Sequence, residues 1–111
     1  MSDEQTFTIR FEDVSLDEAG RKAIALRRDL LDASPDVRVE IEKEDPSNQD
    51  FGATLILVLG TPAILAIAKG IANYLSRDRA KITIEADGKV IAEGVSGDDA
   101  ARIAEAMSQK K

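Results

Sequence analysis

Glu40, Glu42 and Glu44 alternate onto one face of an extended segment, a spacing that could offer three carboxylate ligands to Ca²⁺ or Mg²⁺. Those ions are usually held by a tight, glycine-bearing loop or a near-octahedral oxygen shell. Neither is signalled, so the three read as solvated edge charges that discourage strand-to-strand association. Asp98 and Asp99 are adjacent and point apart on a helix; with Ser96 they suit a helix start. Ser15, Ser76 and Ser96 could act as nucleophiles only beside a base. The chain has no His and no Cys, and no Lys stands near them in sequence, so no triad can be assembled. No GxGxxG or GxxxxGK[ST] run occurs to cradle a phosphate. No catalytic residue, cofactor-binding residue or metal ligand is assigned, and the chain reads as a non-enzyme.

Two charged clusters allow recognition rather than catalysis. Arg77, Arg79 and Lys81 follow a helix directly. They either neutralise its C-terminal dipole or form a docking patch for an acidic partner, which could be the acidic first half of the same chain. Arg27 and Arg28 stand near Asp29 and Asp32, which reads as surface pairing along a helix.

Composition narrows the remaining classes. At 111 residues the chain suits one domain, and 43% apolar with 32% charged residues is ordinary for a globular protein. The net charge of −6 is uneven: residues 1–50 hold 14 acidic and 7 basic side chains, residues 51–111 hold 7 and 8. An acidic half repels phosphate backbones, and one Tyr, three Phe and no Trp leave few stacking platforms, so nucleic acid is not an expected partner. With no secretory signal before MSDEQ and no cysteine, a cytoplasmic address is the expectation.

The elements that would carry these residues follow from periodicity. Phe7, Ile9 and Phe11 alternate with polar residues as a half-buried strand does. Ser15 and Glu18 form a capping-box pair ahead of a helix with Leu16, Ala19, Ala23, Leu26 and Leu30 on one stripe, ending near Ala33 because Pro35 disfavours helix at Ser34. Val37, Val39 and Ile41 make a second strand with one wet face. Residues 42–50, EKEDPSNQD, contain no apolar side chain and read as a mobile acidic loop.

Residues 52–75 are nearly all apolar and raise the question of a membrane span. Gly60-Thr61-Pro62 divides them, with Thr61 expected to cap a helix and Pro62 to occupy its first turn. Thr54–Leu59 then reads as a buried strand and the rest as an amphipathic helix. Lys69, Asn73, Ser76 and Arg77 lie on its polar side; Ile64, Ile67, Ala68, Ile71 and Leu75 lie on the other. Neither piece reaches the ~20 apolar residues that a spanning helix needs. A membrane-inserting reading of 52–75 requires one long kinked helix instead.

In the final third, Ile82–Glu85 and Lys89–Ala92 flank Asp87-Gly88, a type I′ hairpin signal that would pair Ile84 with Ile91. Ser96 and Asp99 then cap a last helix with Ala100, Ile103, Ala104 and Met107 inward, and residues 108–111 form a frayed tail. The whole predicts a single α+β domain over 1–111. Its fold is ferredoxin-like βαββαβ with an added C-terminal strand and helix, the helices mainly on one face, and strands in the order 4-1-3-2 with the fifth beside the fourth. The third strand is apolar on both faces, with Leu55, Leu57 and Leu59 opposite Ile56 and Val58. A two-layer sheet normally wets one face, so the last helix, a partner or a second copy should cover the other.

The run Leu26-Arg27-Arg28-Asp29-Leu30-Leu31 followed by Pro35-Asp36-Val37-Arg38-Val39-Glu40 resembles the opening of the bacterial effector-associated constant component family. Gly52-Ala53, the helix end Tyr74-Leu75-Ser76-Arg77-Asp78-Arg79, and Ile82 to Lys89 continue the resemblance over roughly residues 7–92. It implies a small cytoplasmic adaptor beside effector modules, such as proteases and other toxic enzymes, in bacterial conflict systems; it supplies no site residue. The resulting expectation is a non-catalytic protein-interaction module without cofactors, binding an effector or itself as a homo-oligomer. Its candidate surface is Leu55, Ile56, Leu57, Val58, Arg77, Arg79 and Lys81. The alternatives are the membrane-inserting component and a small-ligand-binding regulatory ferredoxin-like domain.

Overall fold

The computed structural model describes residues 4–43 and 53–108, and the chain folds there as strand β1 (Glu4–Phe11), helix α1 (Leu16–Ala33), strands β2 (Arg38–Lys43) and β3 (Ala53–Gly60), helix α2 (Ile64–Asp78), hairpin strands β4 (Ile82–Ala86) and β5 (Lys89–Val95), and helix α3 (Ala100–Ser108). The greater part of the acidic loop, from Glu44 on, and residues 109–111 of the tail lie outside the described residues. Glu42 and Lys43 belong to β2 and Ser108 to α3, so both elements run slightly further than periodicity predicted.

The helix boundaries have local causes. Ser15 is extended, and its hydroxyl accepts from the Glu18 amide at 3.2 Å, with Asp17 and Glu18 complementing the helix dipole. α1 ends at Ala33, where Ser34 turns extended ahead of Pro35. The break in the apolar tract is real: β3 ends at Gly60, a single 3₁₀ turn spans Thr61–Ala63, and α2 follows. Pro62 sits in that first turn as expected, but Thr61 is not the cap. Gly60 occupies the cap position with no side-chain bond, and the Thr61 hydroxyl instead accepts from Gln5 Nε2 at 3.4 Å. Among the described residues no helix is long and apolar enough to cross a membrane.

All strand pairings are antiparallel, in the order β2-β3-β1-β4-β5. The expected neighbours are therefore present: β3 lies between β2 and β1, and β4 between β1 and β5. Asp87 and Gly88 both adopt positive φ, 55° and 78°, as a type I′ turn requires. The register beyond the turn differs from expectation. Ile84 pairs with Ala92 rather than Ile91, because an irregularity admits one extra residue on β5; a second shift lies at Gly94, whose φ is 63°.

Phe7, Ile9, Leu55, Leu57, Ile82 and Ile84 point to one side of the sheet and are wholly buried with Leu26 and Leu30 of α1, Ile67, Ile71 and Leu75 of α2, and Ile103 and Met107 of α3. One core thus receives all three described helices. Ser96 and Asp99 close a reciprocal cap before α3, the Ser96 amide donating to Asp99 Oδ2 at 2.9 Å. That bond holds the Asp99 carboxyl below the usual carboxylate range. Ala100, expected inward, is exposed. α3 packs against α2 and β5, on the side of the sheet already covered. The last helix is thereby ruled out as the cover for the far face of β3.

Candidate interaction surface

The far face of the sheet is organised in rows fixed by strand register. Arg38, Val58 and Thr6 lie side by side across β2, β3 and β1. The next row runs Glu40, Ile56, Thr8, Glu85, Val90 across all five strands. The third runs Glu42, Thr54, Arg10, Thr83. No described helix covers this face. Ile56 and Val58 are half-buried by their neighbours but take no part in the core, and Val90 is 53% exposed. The result is an aliphatic centre flanked by Thr6, Thr8 and charged groups, an apolar middle with a partly polar rim, although Thr54 in the third row is itself buried at 5% exposure.

Polar contacts stiffen one side of this face. Arg10 Nη1 forms an ion pair with Glu85 Oε2. Glu12 Oε2 accepts from the Thr83 hydroxyl and, at 2.9 Å, from the Gly94 amide, tying the end of β1 to the irregular stretch of β5. Arg27, expected to pair along its own helix, instead donates from Nε to the Val39 carbonyl oxygen at 3.2 Å, linking α1 to the edge strand β2.

The structure separates the predicted surface residues instead of gathering them. Leu55 and Leu57 are 0% exposed beneath the helices, so no partner can reach them, which corrects their inclusion. The reason is the two-residue side-chain period of a strand: four consecutive residues cannot share one face. Of the four, Ile56 and Val58 alone belong to the face that no described helix covers. Arg77 projects from α2 toward α1, where its guanidinium pairs with Asp29 and lies 5.9 Å from the centre of the Tyr74 ring. Part of the basic cluster therefore does meet the acidic first half of its own chain. Arg79 takes the left-handed cap position after α2 at φ 52°, and Lys81 leads into β4. Both line a shallow groove of about 400 Å³ with Glu12, Asp13, Glu18, Lys22 and Asp78, whose mixed charges make it no basic patch.

Sequence reasoning missed the polar clamp between α1 and α2. Tyr74 donates to Asp78 Oδ2 at 2.8 Å, Lys22 Nζ donates to the same oxygen at 2.6 Å, and Phe11 meets the Tyr74 ring edge-on at 6.3 Å. The Tyr74–Asp78 spacing of four residues on a helix was the available signal; nothing local pointed to Lys22. The Lys22 and Tyr74 hydrogen bonds hold the Asp78 carboxyl below its ordinary value. Burial, then Asp78, pushes the Tyr74 phenol well above its own. The signs follow. Asp78 contributes stability above the unfolded carboxylate value near ~3.9, lost as pH falls through its lower folded value; Tyr74 contributes below ~10, lost as pH rises beyond it. Because Tyr74 is the only tyrosine, an alkaline titration followed by tyrosinate absorbance should show no ionisation near pH ~10 while the chain stays folded. Ionisation should arrive together with unfolding, and a separate, earlier phenolate transition would contradict the buried hydrogen bond.

No protein-family model, curated protein or solved structure matches this chain.

Proposed function

We propose that this chain is a non-catalytic, cytoplasmic interaction module of ferredoxin-like architecture, with an added C-terminal strand and helix. In this reading it is an adaptor that accompanies an effector in a bacterial defence or conflict system and docks through the sheet face opposite the helices. The observation that carries the docking surface is the placement of Ile56 and Val58 in adjacent rows of a face that no described helix covers. Burying two aliphatic side chains against a partner removes apolar area from water at roughly 25 cal/mol per Å², while the surrounding Thr and Glu groups set its orientation. The adaptor role itself rests on the resemblance described above. The absence of His and Cys from the sequence accords with binding rather than catalysis.

Affinity capture from the native cell, with the wild type and an Ile56→Asp/Val58→Asp double variant compared side by side, tests this reading. A defined effector protein should be retained by the wild type and lost, by at least about tenfold, with the variant, as expected when charge enters an apolar hot spot. An identical set of captured proteins from both chains would remove the face from the account.

A further inference from the structure

We infer that the edge of β2 joins a second copy of this chain in an antiparallel β2–β2 pairing about a two-fold axis at Glu40, which would extend each five-stranded sheet into one of ten strands. This inference rests on the reading of the chain as an interaction module but uses the edge of β2, at the margin of the open face, rather than the aliphatic centre at Ile56 and Val58. The two edges of the sheet are not alike. β5 carries two register irregularities and the left-handed Gly94, features that twist an edge away from pairing. β2 has neither: its six residues keep unbroken register with β3 from Arg38 to Lys43, and among the described residues no strand lies on its outer side.

By sequence alone Glu40 and Glu42 discourage strand-to-strand association, but Arg38 shares their face of β2, and with it the charges on this edge match themselves when one copy is turned through the two-fold. Residues directly opposite in an antiparallel pair share a face, so with Glu40 on the axis Arg38 stands across from Glu42 of the second copy, and Glu42 across from its Arg38. Two unlike pairs form on the open face. On the helix face Val39 stands across from Ile41, also twice, which extends each core past its edge; Ile41 is only half-buried within one chain. The axis brings together the two Glu40 side chains, one like-charge contact against two favourable pairs. Moving the axis by one residue to Val39 leaves a shorter overlap, and moving it to Ile41 sets Glu40 against Glu42 twice. Arg38, Glu40 and Glu42 are exposed, and none makes an ion pair with another described residue, so the charges are available. Arg27 holds the Val39 carbonyl, but that oxygen has a second lone pair, so the bond restrains the edge without closing it.

A charge swap gives the test, read by sedimentation velocity over a concentration series with circular dichroism to confirm folding. The wild type should show a concentration-dependent dimer. Arg38→Glu alone and Glu42→Arg alone should each weaken it by about tenfold or more, since each turns both unlike pairs into like ones. The double variant Arg38→Glu/Glu42→Arg restores the opposite-charge pairs and should recover the wild-type dimer. Glu40→Gln should tighten it a few-fold by removing the central repulsion. A wild type that stays monomeric at every accessible concentration overturns the inference. So does a dimer indifferent to Arg38→Glu, or singly weakened dimers that the double variant fails to rescue. A dimer that Ile56→Asp dissolves and Arg38→Glu leaves intact also overturns it, and moves self-association to the open face with the proposed function untouched.

Discussion

Replacing Gly97 with Ala should lower stability by about 3 kcal/mol and the thermal midpoint by on the order of 15 °C. A methyl group built at this position would lie 2.4 Å from Ser76 Cα, 2.5 Å from its Cβ and 2.5 Å from its amide nitrogen. These are largely backbone atoms within α2, so no rotamer change relieves the overlap. The turn that carries Gly97 is fixed in turn by the Ser96–Asp99 cap and by the burial of Ile103 and Met107. Relief therefore requires α3 to move off α2, which loosens the packing of both helices. Differential scanning calorimetry of the variant and the wild type checks this. A midpoint within a degree or two of wild type would mean that α3 is not seated on Ser76. By contrast, Gly88→Ala should cost less, since nothing lies within 4 Å of that position and the penalty comes only from its positive φ.

The second large effect separates two neighbours on β3. Leu57→Ala should destabilise the fold by about 3–4 kcal/mol, while Val58→Ala should cost about 1 kcal/mol or less. Leu57 is wholly buried at the middle of the core, directly between Phe7 on β1 and Val39 on β2, so truncation leaves a cavity that helices on one side and strands on the other cannot collapse to fill. Val58 lies on the opposite face between Arg38 and Thr6, where water already reaches it and no cavity forms. Chemical denaturation of both variants measures the difference directly. Equal losses would mean that the far face is packed as tightly as the core, and the docking surface around Ile56 and Val58 would have to be abandoned.

Much of this architecture was legible because its causes are local. The alternation of Phe7, Ile9 and Phe11, the caps at Ser15 and Ser96, and the Asp87-Gly88 turn are each written within a few residues and appear where the pattern placed them. The Gly60–Pro62 break also held, although the capping role given to Thr61 did not: its hydroxyl found Gln5, 56 positions away in sequence, and no local rule could have indicated that partner. The surface was read less well. Leu55 to Val58 and the Arg77–Lys81 cluster were grouped by adjacency, whereas a strand sends successive side chains to opposite faces and the end of a helix fans its charges around the axis. Ile91 escaped for a related reason, since the irregularity beside it depends on how β5 meets β4 between Glu85 and Ile84.

By itself the amino-acid sequence determined the number and kind of elements, the division of its longest apolar tract into strand and helix, and the lack of imidazole and thiol chemistry. These follow from backbone preferences, side-chain period and composition, which act over neighbouring residues. Only the tertiary structure decided which side of β3 the helices cover, that Arg77 engages Asp29, that Lys22 and Tyr74 meet on Asp78, and that Gly97 rests on the backbone of Ser76. Each of these joins segments far apart in the chain, and such contacts are chosen by the packing of the whole core rather than by any stretch within it.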